Sequence, residues 1–588
     1  VKIKKLLIAN RGEIALRIMR TARELGLETV AVYSESDRDA LHVAYADEAY
    51  LLGPATPSLS YLSVERLLET AARSGADAIH PGYGFLAENA GFARAVIAAG
   101  LTWVGPHPGA IDAMGDKIRS RQAMVAAGVP VVPGATEPLR SVEDALRAAD
   151  EYGLPLAIKA SGGGGGKGLK IARSRDDIAT AFTTAEREAQ AYFNNPTLYA
   201  ERYLDNPKHI ELQLLADKHG NVVHVGERDC SLQRRHQKLF EETPAGISEG
   251  VRERLREAGL RAARAIGYDS VGTIETLVAG DEFFFLEMNT RIQVEHTISE
   301  MISGLDLIAE QLRVAAGEPL GYSQHDVAFR GHSIEVRVNA EDPAANFRPA
   351  PGTITTYREP AGFGVRVDAA ATAGGTISPE YDSMIAKLIV WAPTRDGARA
   401  RLRRAIDDYA IGGVTTTLEF LRALGDSPAV ADGTYGTATL EAFAATWTPV
   451  RNGRAHATLE GVAPPPEPEG DVVRVEVNDK LYTVRLLDRP ASRAPAAGGP
   501  ARKVAPKAQR ANNGRVADGN DVVTPMHGVV VEVAVAAGDA VVAGQVVAVI
   551  EAMKMMNEIR AHRAGTVAAV HAAKGTTLET GAPLLTLA

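Results

Sequence analysis

Two glutamates, an asparagine and a run of alternating polar residues mark the stretch of this 588-residue chain where chemistry is most legible. Thr273-Ile274-Glu275-Thr276 and Phe285-Leu286-Glu287-Met288-Asn289 read as strands flanking the turn Ala279-Gly280-Asp281. Side chains alternate along a strand, so Glu287 and Asn289 share a face and Glu275 falls roughly opposite Glu287. Carboxylates that face each other repel unless a cation sits between them, and an oxygen-only donor set suits Mg2+ or Mn2+ held jointly with phosphates. Beyond the hairpin, Arg291, Gln293 and Glu295 alternate, and would share one face if that segment is extended. An arginine beside a carboxylate base is what binding and deprotonating a small oxyanion requires.

Upstream, Ser161 and Gly162 to Gly166, then Lys167-Gly168, stand between the apolar runs Leu156-Ala157-Ile158-Lys159 and Leu169-Lys170-Ile171-Ala172. A Walker A loop begins with glycine, ends in Lys-Ser or Lys-Thr and opens a helix. Here Ser161 takes the first place, Gly168 the last, and a strand follows. The pattern predicts a β-hairpin lid whose backbone N–H groups, at Gly164, Gly165 and Gly166 among others, close over phosphate oxygens where no Cβ obstructs them. Lys117 and Lys159 would supply positive charge. Glu201-Arg202-Tyr203-Leu204 and His209 follow, and Gln233, His236 and Lys238 place donors along an extended basic segment, as a pocket for ATP and an anion would need.

A third signal lies near the C-terminus, in Glu551-Ala552-Met553-Lys554-Met555-Met556-Asn557. Gly528, Val530, Val533, Gly538, Gly544 and Val547 recur as Gly565, Val567, Val570, Gly575, Gly581 and Leu584, every pair offset by 37. Two copies of short alternating strands broken by glycine turns make a flattened β-sandwich with pseudo-twofold symmetry, and Lys554 falls at the join on a hairpin tip. Methionines beside a tip lysine serve no core and form a surface built to be recognised.

The elements that must position these groups begin with a βαβ unit: a strand over Lys5 to Ala9, a helix over Gly12 to Gly26 and a strand over Thr29 to Tyr33. Its first loop, Asn10-Arg11-Gly12-Glu13, lacks the dinucleotide fingerprint. A later strand, Ala76 to His80, leads into Pro81-Gly82-Tyr83-Gly84-Phe85, and after about residue 117 the pattern changes to strands around Ser161 to Gly168. The length suits three or four domains. A net charge of −9 argues against a nucleic-acid or anionic-membrane partner. A single cysteine, Cys230, allows no intrachain disulfide and favours a reducing, cytoplasmic setting, or an organellar matrix if a presequence was removed. No apolar run reaches membrane-span length.

Together these motifs resemble biotin carboxylase, an ATP-grasp enzyme, over about residues 1 to 446. The resemblance is carried by Ala9-Asn10-Arg11-Gly12-Glu13-Ile14-Ala15, by His80 to Asn89, by the glycine lid, by Arg234-Arg235-His236-Gln237-Lys238, by Glu287 to His296 and by Tyr381-Asp382-Ser383-Met384. Ala552-Met553-Lys554-Met555 likewise resembles the attachment sequence of biotinyl carrier domains. The resemblance implies that Lys117, Lys159, Gly164, Gly165, Gly166, Glu201, Tyr203, Leu204, His209, Gln233 and His236 contact ATP, and that Glu275, Glu287 and Asn289 hold the metal. Lys238, Arg291, Gln293 and Val294 would hold bicarbonate, Glu295 would be the general base, Arg337 would stabilise the biotin enolate, and Lys554 would carry biotin. Lys167 and Arg202 exchange one basic residue for another relative to the family pattern, and the chain is one residue short around Thr243-Pro244-Ala245-Gly246.

The expected fold is α/β and multidomain: an ATP-grasp biotin carboxylase with N-terminal (1–116), lid (117–204) and central and C-terminal α+β (205–446) parts, followed by a small all-β biotinyl sandwich at 521–588. Between them lie a Pro-rich stretch with a small β-hairpin (447–490), which either docks on the carboxylase or binds a partner, and an Ala/Pro/Gly-rich segment (491–520) expected to be flexible. A 30-residue flexible tether spans roughly 30 Å. No carboxyltransferase fits in the rest of the chain, so a separate carboxyltransferase β subunit acting on an acyl-CoA is implied, as is a biotin protein ligase. The layout resembles the α chain of acyl-CoA carboxylases. The alternatives are an ATP-grasp ligase acting on another acid with Lys554 unmodified, and a non-catalytic carrier and scaffold.

Overall fold

Leu6, Leu7 and Ile8 are all fully buried, as a parallel strand covered on both faces requires. The computed structural model, which describes residues 2–135, 137–161, 168–235, 237–449, 472–477, 480–485, 520–525, 528–552, 555–578 and 581–588, places them in the strand Lys5–Ile8. This strand lies between Glu28–Ser34 and Ala78–His80, with Glu48–Gly53 and Thr102–Trp103 outside them, all parallel. The helix Gly12–Glu24 lays Ile14, Ala15, Ile18, Met19 and Ala22 into the same core. Beyond the Glu48–Gly53 edge, Lys480 and Leu481 pair antiparallel with Tyr50 and Ala49, and Lys480 Nζ lies 2.9 Å from Glu48 Oε2. This pairing places Lys480 and Leu481 on the edge of the N-terminal sheet.

The strands expected around Ser161 to Gly168 are present, and helices precede them. Lys117–Ala126 and Val142–Tyr152 are helices, capped by the side chains of Asp116 and Ser141. Strands begin only at Leu156–Ala160, which pairs with Leu169–Ala172 and Leu198–Arg202. Lys159 opposes Leu169, so the strands of the expected lid hairpin are present, while residues 162–167 between them lie outside the described residues.

The third sheet has eight antiparallel strands in the order Glu282–Asn289, Ser270–Ala279, Lys208–Ala216, Val222–Arg234, Gln237–Thr243, His332–Asn339, Met384–Ala392, Val365–Ala369. Helices such as Glu249–Ala265 and Arg395–Asp408 cover it with small and aliphatic side chains, among them Leu255, Ala262 and Leu402.

The chain divides into two compact units, and the described residues from 520 onward belong to the second. There, one four-stranded sheet has the order Asp521–Val523, Pro583–Leu587, Gly565–Val570, Ala540–Val541, and another Met555–Arg560, Val546–Ala552, Gly528–Val533, Thr577–Leu578. The 37-residue repeat is structural. Val530 and Val567, and Val547 and Leu584, are all buried, and the paired turn glycines share positive φ: +98° and +86° at Gly538 and Gly575, +84° and +85° at Gly544 and Gly581. Ala552 pairs with Met555 across the Met553-Lys554 connection, which lies outside the described residues. Among the described residues, no helix is long and apolar enough to cross a membrane.

Candidate active site

Register aligns four charged residues across four strands: Glu287 opposes Glu275, Glu275 opposes Glu211, and Glu211 opposes Arg228. Cross-strand partners project from the same face, so three carboxylates stand in one row. Such a row persists only with compensating cations. Lys117 Nζ lies 2.9 Å from Glu287 Oε2. Lys238 Nζ contacts Glu211 and lies 3.0 Å from Glu275 Oε1 and 2.8 Å from Glu295 Oε1. His209 Nε2 lies 3.2 Å from Glu211 and 3.1 Å from Glu275. Arg228, fully buried, reaches Glu211 Oε2 at 3.2 Å and donates to Gln213 and Gln293, both at 2.6 Å.

This charge balance sets the protonation states. Burial opposes a charge on Lys238, but Glu211, Glu275 and Glu295 hold its amine well above the usual lysine value. Burial would likewise raise Glu275 and Glu295, yet Lys238, with His209 beside the first and Arg337 beside the second, keeps both well below the carboxylate range. His209 is lowered by burial and raised more by Glu275 and Glu211, to about 9. Glu241 is pushed up to about 7 by burial, against the pull of Arg337.

Arg291 donates from Nε to Glu88 Oε2 at 3.0 Å and from Nη2 to Asn289 Oδ1 at 2.8 Å. Asn289 Nδ2 and Gln293 Nε2 both donate to Glu275 Oε1 at 2.8 Å. Arg337 bridges Glu241 at 2.7 Å and Glu295 at 2.9 Å. The extended segment considered for Arg291 to Glu295 is not a strand: residues 290–293 are irregular, Val294 and Glu295 form a turn before the helix His296–Ser303, and the side chains converge because partners on several elements hold them. Val294 enters through its backbone carbonyl, which accepts from Lys387 Nζ at 3.0 Å.

Lys159 pairs with Glu201, whose other oxygen lies 3.6 Å from Arg121 Nη1. Lys117 N donates to Ser161 O at 3.4 Å, tying the helix that starts at Lys117 to the lid sheet. Leu204 packs with Val132 and Phe284. Tyr203 N donates to Pro155 O at 2.8 Å, and no described contact joins it to the charged row. Gln233 sits opposite Lys238 in the hairpin of Val222–Arg234 and Gln237–Thr243. Gly164, Gly165, Gly166, His236 and Lys554 lie outside the described residues.

Glu211, Arg228, Glu241, Glu88 and Lys387 escaped the sequence reading. Glu211 alternates with His209 and Gln213 on one strand, which could have marked it. Glu88 lies in the His80 to Asn89 stretch but was given no role there, and Arg228, Glu241 and Lys387 are brought in by long-range pairing that no local pattern announces. Glu275, Glu287 and the Asn289 amide offer oxygen donors on one face of a hairpin, and that donor chemistry fits a hard divalent cation.

Lysines on a small lid layer facing an acid-lined antiparallel sheet are how ATP-grasp ligases hold a nucleotide between two layers, and this chain is of that class. Residues 2–111 match the biotin carboxylase N-terminal domain, 116–323 the carbamoyl-phosphate synthase L chain ATP-binding domain, 335–442 the biotin carboxylase C-terminal domain and 520–587 the domain of biotin-requiring enzymes. The chain belongs to the biotin carboxylase family, in a form that joins the carboxylase to a biotin-lipoyl domain. It is 50% identical to biotin carboxylase 1 of Bacillus subtilis over 444 residues, 75% of this chain and 99% of that protein. It is 42% identical over 593 residues to the biotin-dependent acyl-coenzyme A carboxylase alpha3 subunit of Mycobacterium leprae, 99% of this chain and 98% of that one. The biotin carboxylase domain of the Hydrogenobacter thermophilus 2-oxoglutarate carboxylase, solved with MgADP, ADP and bicarbonate, shares 49% identity and a TM-score of 0.72, covering 75% of this chain and 98% of that domain. The activity is accordingly that of a biotin carboxylase ligase.

Proposed function

We propose that this protein uses ATP and bicarbonate to carboxylate biotin borne on Lys554, and delivers the carboxyl group to a separate carboxyltransferase β subunit that acts on an acyl-CoA. The observation that carries the carboxylation half is the Lys238 amine held among Glu211, Glu275 and Glu295, with Arg337 on the far oxygen of Glu295. Lys238, Arg291 and Gln293 supply donors for bicarbonate beside the Val294 backbone. Glu295 takes its proton, freeing an oxygen to attack the γ-phosphorus of ATP as the bond to the β-phosphate oxygen breaks, which releases ADP and gives carboxyphosphate. A base must be ionised to act, and the flanking cations keep Glu295 so; an anion entering beside it raises its proton affinity toward what transfer demands. Lys117 and Lys159 offset phosphate charge, with Glu201, Tyr203, Leu204, His209, Gln233, His236 and the glycines 164 to 166 around the nucleotide. Glu275, Glu287 and Asn289 would hold Mg2+ or Mn2+, which neutralises charge on the phosphates. Biotin would supply a ureido nitrogen that takes up the CO2 released from carboxyphosphate, its proton passing to the departing phosphate. Arg337 presents a fixed positive charge to the ureido oxygen, where negative charge develops.

The full-length likeness to the Mycobacterium leprae acyl-coenzyme A carboxylase subunit supports acyl-CoA as the final acceptor. The likeness to a 2-oxoglutarate carboxylase supports a second reading, with a 2-oxo acid as acceptor. Affinity purification from the native host, mass measurement of the Lys554 peptide, and carboxylation assays with acetyl-CoA, propionyl-CoA, pyruvate and 2-oxoglutarate separate the two. Activity on the acyl-CoAs alone is expected. Activity on oxo acids alone overturns the acceptor, and an unshifted Lys554 peptide from cells with an active biotin protein ligase overturns the carrier assignment.

A further inference from the structure

Lys387 is the one fully buried lysine among the described residues, and the charged groups already placed around nucleotide and bicarbonate do not include it. It sits on the strand Met384–Ala392, directly between Arg337 on one neighbouring strand and Asp368 on the other. Cross-strand partners share a face, so its amine projects beside Arg337. From there it donates to Val294 O at 3.0 Å and lies 3.2 Å from Glu13 Oε2 and 3.8 Å from Asp368 Oδ2. Glu13 in turn accepts from the Tyr83 hydroxyl, and Asn10 Nδ2 donates to the carbonyls of Pro81 and Tyr83 at 2.7 Å each. One ammonium thus ties together a turn that no strand holds, the first helix and the Pro81–Phe85 loop.

Burying an ammonium is costly unless every proton is matched, so its retention calls for a task that an apolar residue could not perform. The peptide unit is planar. Fixing the Val294 carbonyl therefore fixes the Glu295 N–H and the Cα position from which the Glu295 side chain sets out. Gln293 is held by Arg228, and the Glu295 carboxylate by Lys238 and Arg337. Between those anchored side chains the backbone has Lys387 as its charged anchor. We infer that Lys387 is a positioning residue for bicarbonate: it orients the Gln293-Val294-Glu295 turn through the Val294 carbonyl and does not itself touch the substrate. This rests on the assignment of Gln293, Val294 and Glu295 to bicarbonate.

Initial rates of bicarbonate-dependent ATP hydrolysis by the full chain, with free biotin as acceptor, test it. Lys387→Met is expected to raise KM for bicarbonate about tenfold, with KM for ATP within about twofold of wild type, and Lys387→Arg to recover to within about threefold. A bicarbonate KM unchanged in Lys387→Met overturns the inference, as does a parallel rise in both KM values that arginine does not rescue, since that is what mere loss of packing gives. If Lys387→Met aggregates, Glu13→Gln decides. Weakening the counter-charge should raise the bicarbonate KM about threefold, and no change would overturn the inference. Gln293→Ala distinguishes the underlying reading. Without an effect on bicarbonate KM the anion assignment fails; with one, but with Lys387→Met silent, only the role of Lys387 fails.

Discussion

Glu295 and His209 show how far neighbours decide the chemistry of a side chain. Glu295→Gln keeps the shape but removes the proton acceptor, and is expected to lower kcat for bicarbonate-dependent ATP cleavage by about 100-fold or more while KM for ATP changes little. Steady-state kinetics with each substrate varied checks this. His209 carries a pH signature. Its folded value, about 9, lies above the ordinary 6.5, so its stabilisation is fully present below pH 6.5 and is lost as pH rises through about 9. The gap corresponds to about 3 kcal/mol at most. The stability difference between wild type and His209→Ala should therefore shrink between pH 6.5 and 9.5 in urea unfolding, and a constant difference would contradict the charged state. Lys117, Lys238 and Arg291 as donors, and Glu295 as an acceptor, could be picked out by residue type and spacing. Arg228 and Glu241 were not, because a buried arginine or glutamate looks in sequence like any solvated one.

The β-elements carry the next level. Gly528 begins the strand Gly528–Val533, and a Cβ there would meet Ile550 Cγ2 at 2.5 Å and Glu551 O at 2.6 Å. Gly528→Val should lower the stability of the biotin-lipoyl unit by about 1–3 kcal/mol. Calorimetry of the full chain should show that transition moving down and the carboxylase transition staying. At the edge strand Glu48–Gly53, the Lys480–Glu48 pair at 2.9 Å helps dock the segment after the carboxylase. Lys480→Glu should cost about 1 kcal/mol of docking and speed amide exchange at Ala49 and Tyr50. Unchanged exchange there would mean the contact does not hold that edge. The 37-residue repeat and its glycines were readable because positive φ and a close backbone approach demand one residue type. The helices before the lid were not, since Lys117–Ala126 has only a weak apolar face.

At the scale of the whole molecule, the proposed function requires chemistry at one site and cargo on another part of the same chain. Lys554→Ala should leave bicarbonate-dependent ATP hydrolysis with free biotin within about twofold of wild type, because binding is then bimolecular, yet abolish acceptor carboxylation by the reconstituted enzyme. Loss of both activities would show that Lys554 also serves the carboxylase site. Sequence alone gave access to the class of chemistry, the hairpin that aligns Glu275 with Glu287, the lid strands and the 37-residue repeat, because each is written in residues close together in the chain, where spacing translates directly into geometry. Only the tertiary structure decided the row Glu287, Glu275, Glu211, Arg228 and the burial of Lys387 against Val294. Those depend on which strands lie side by side and in what register. Pairing between segments far apart in sequence is chosen by the energy of the whole core, which no local window of residues contains.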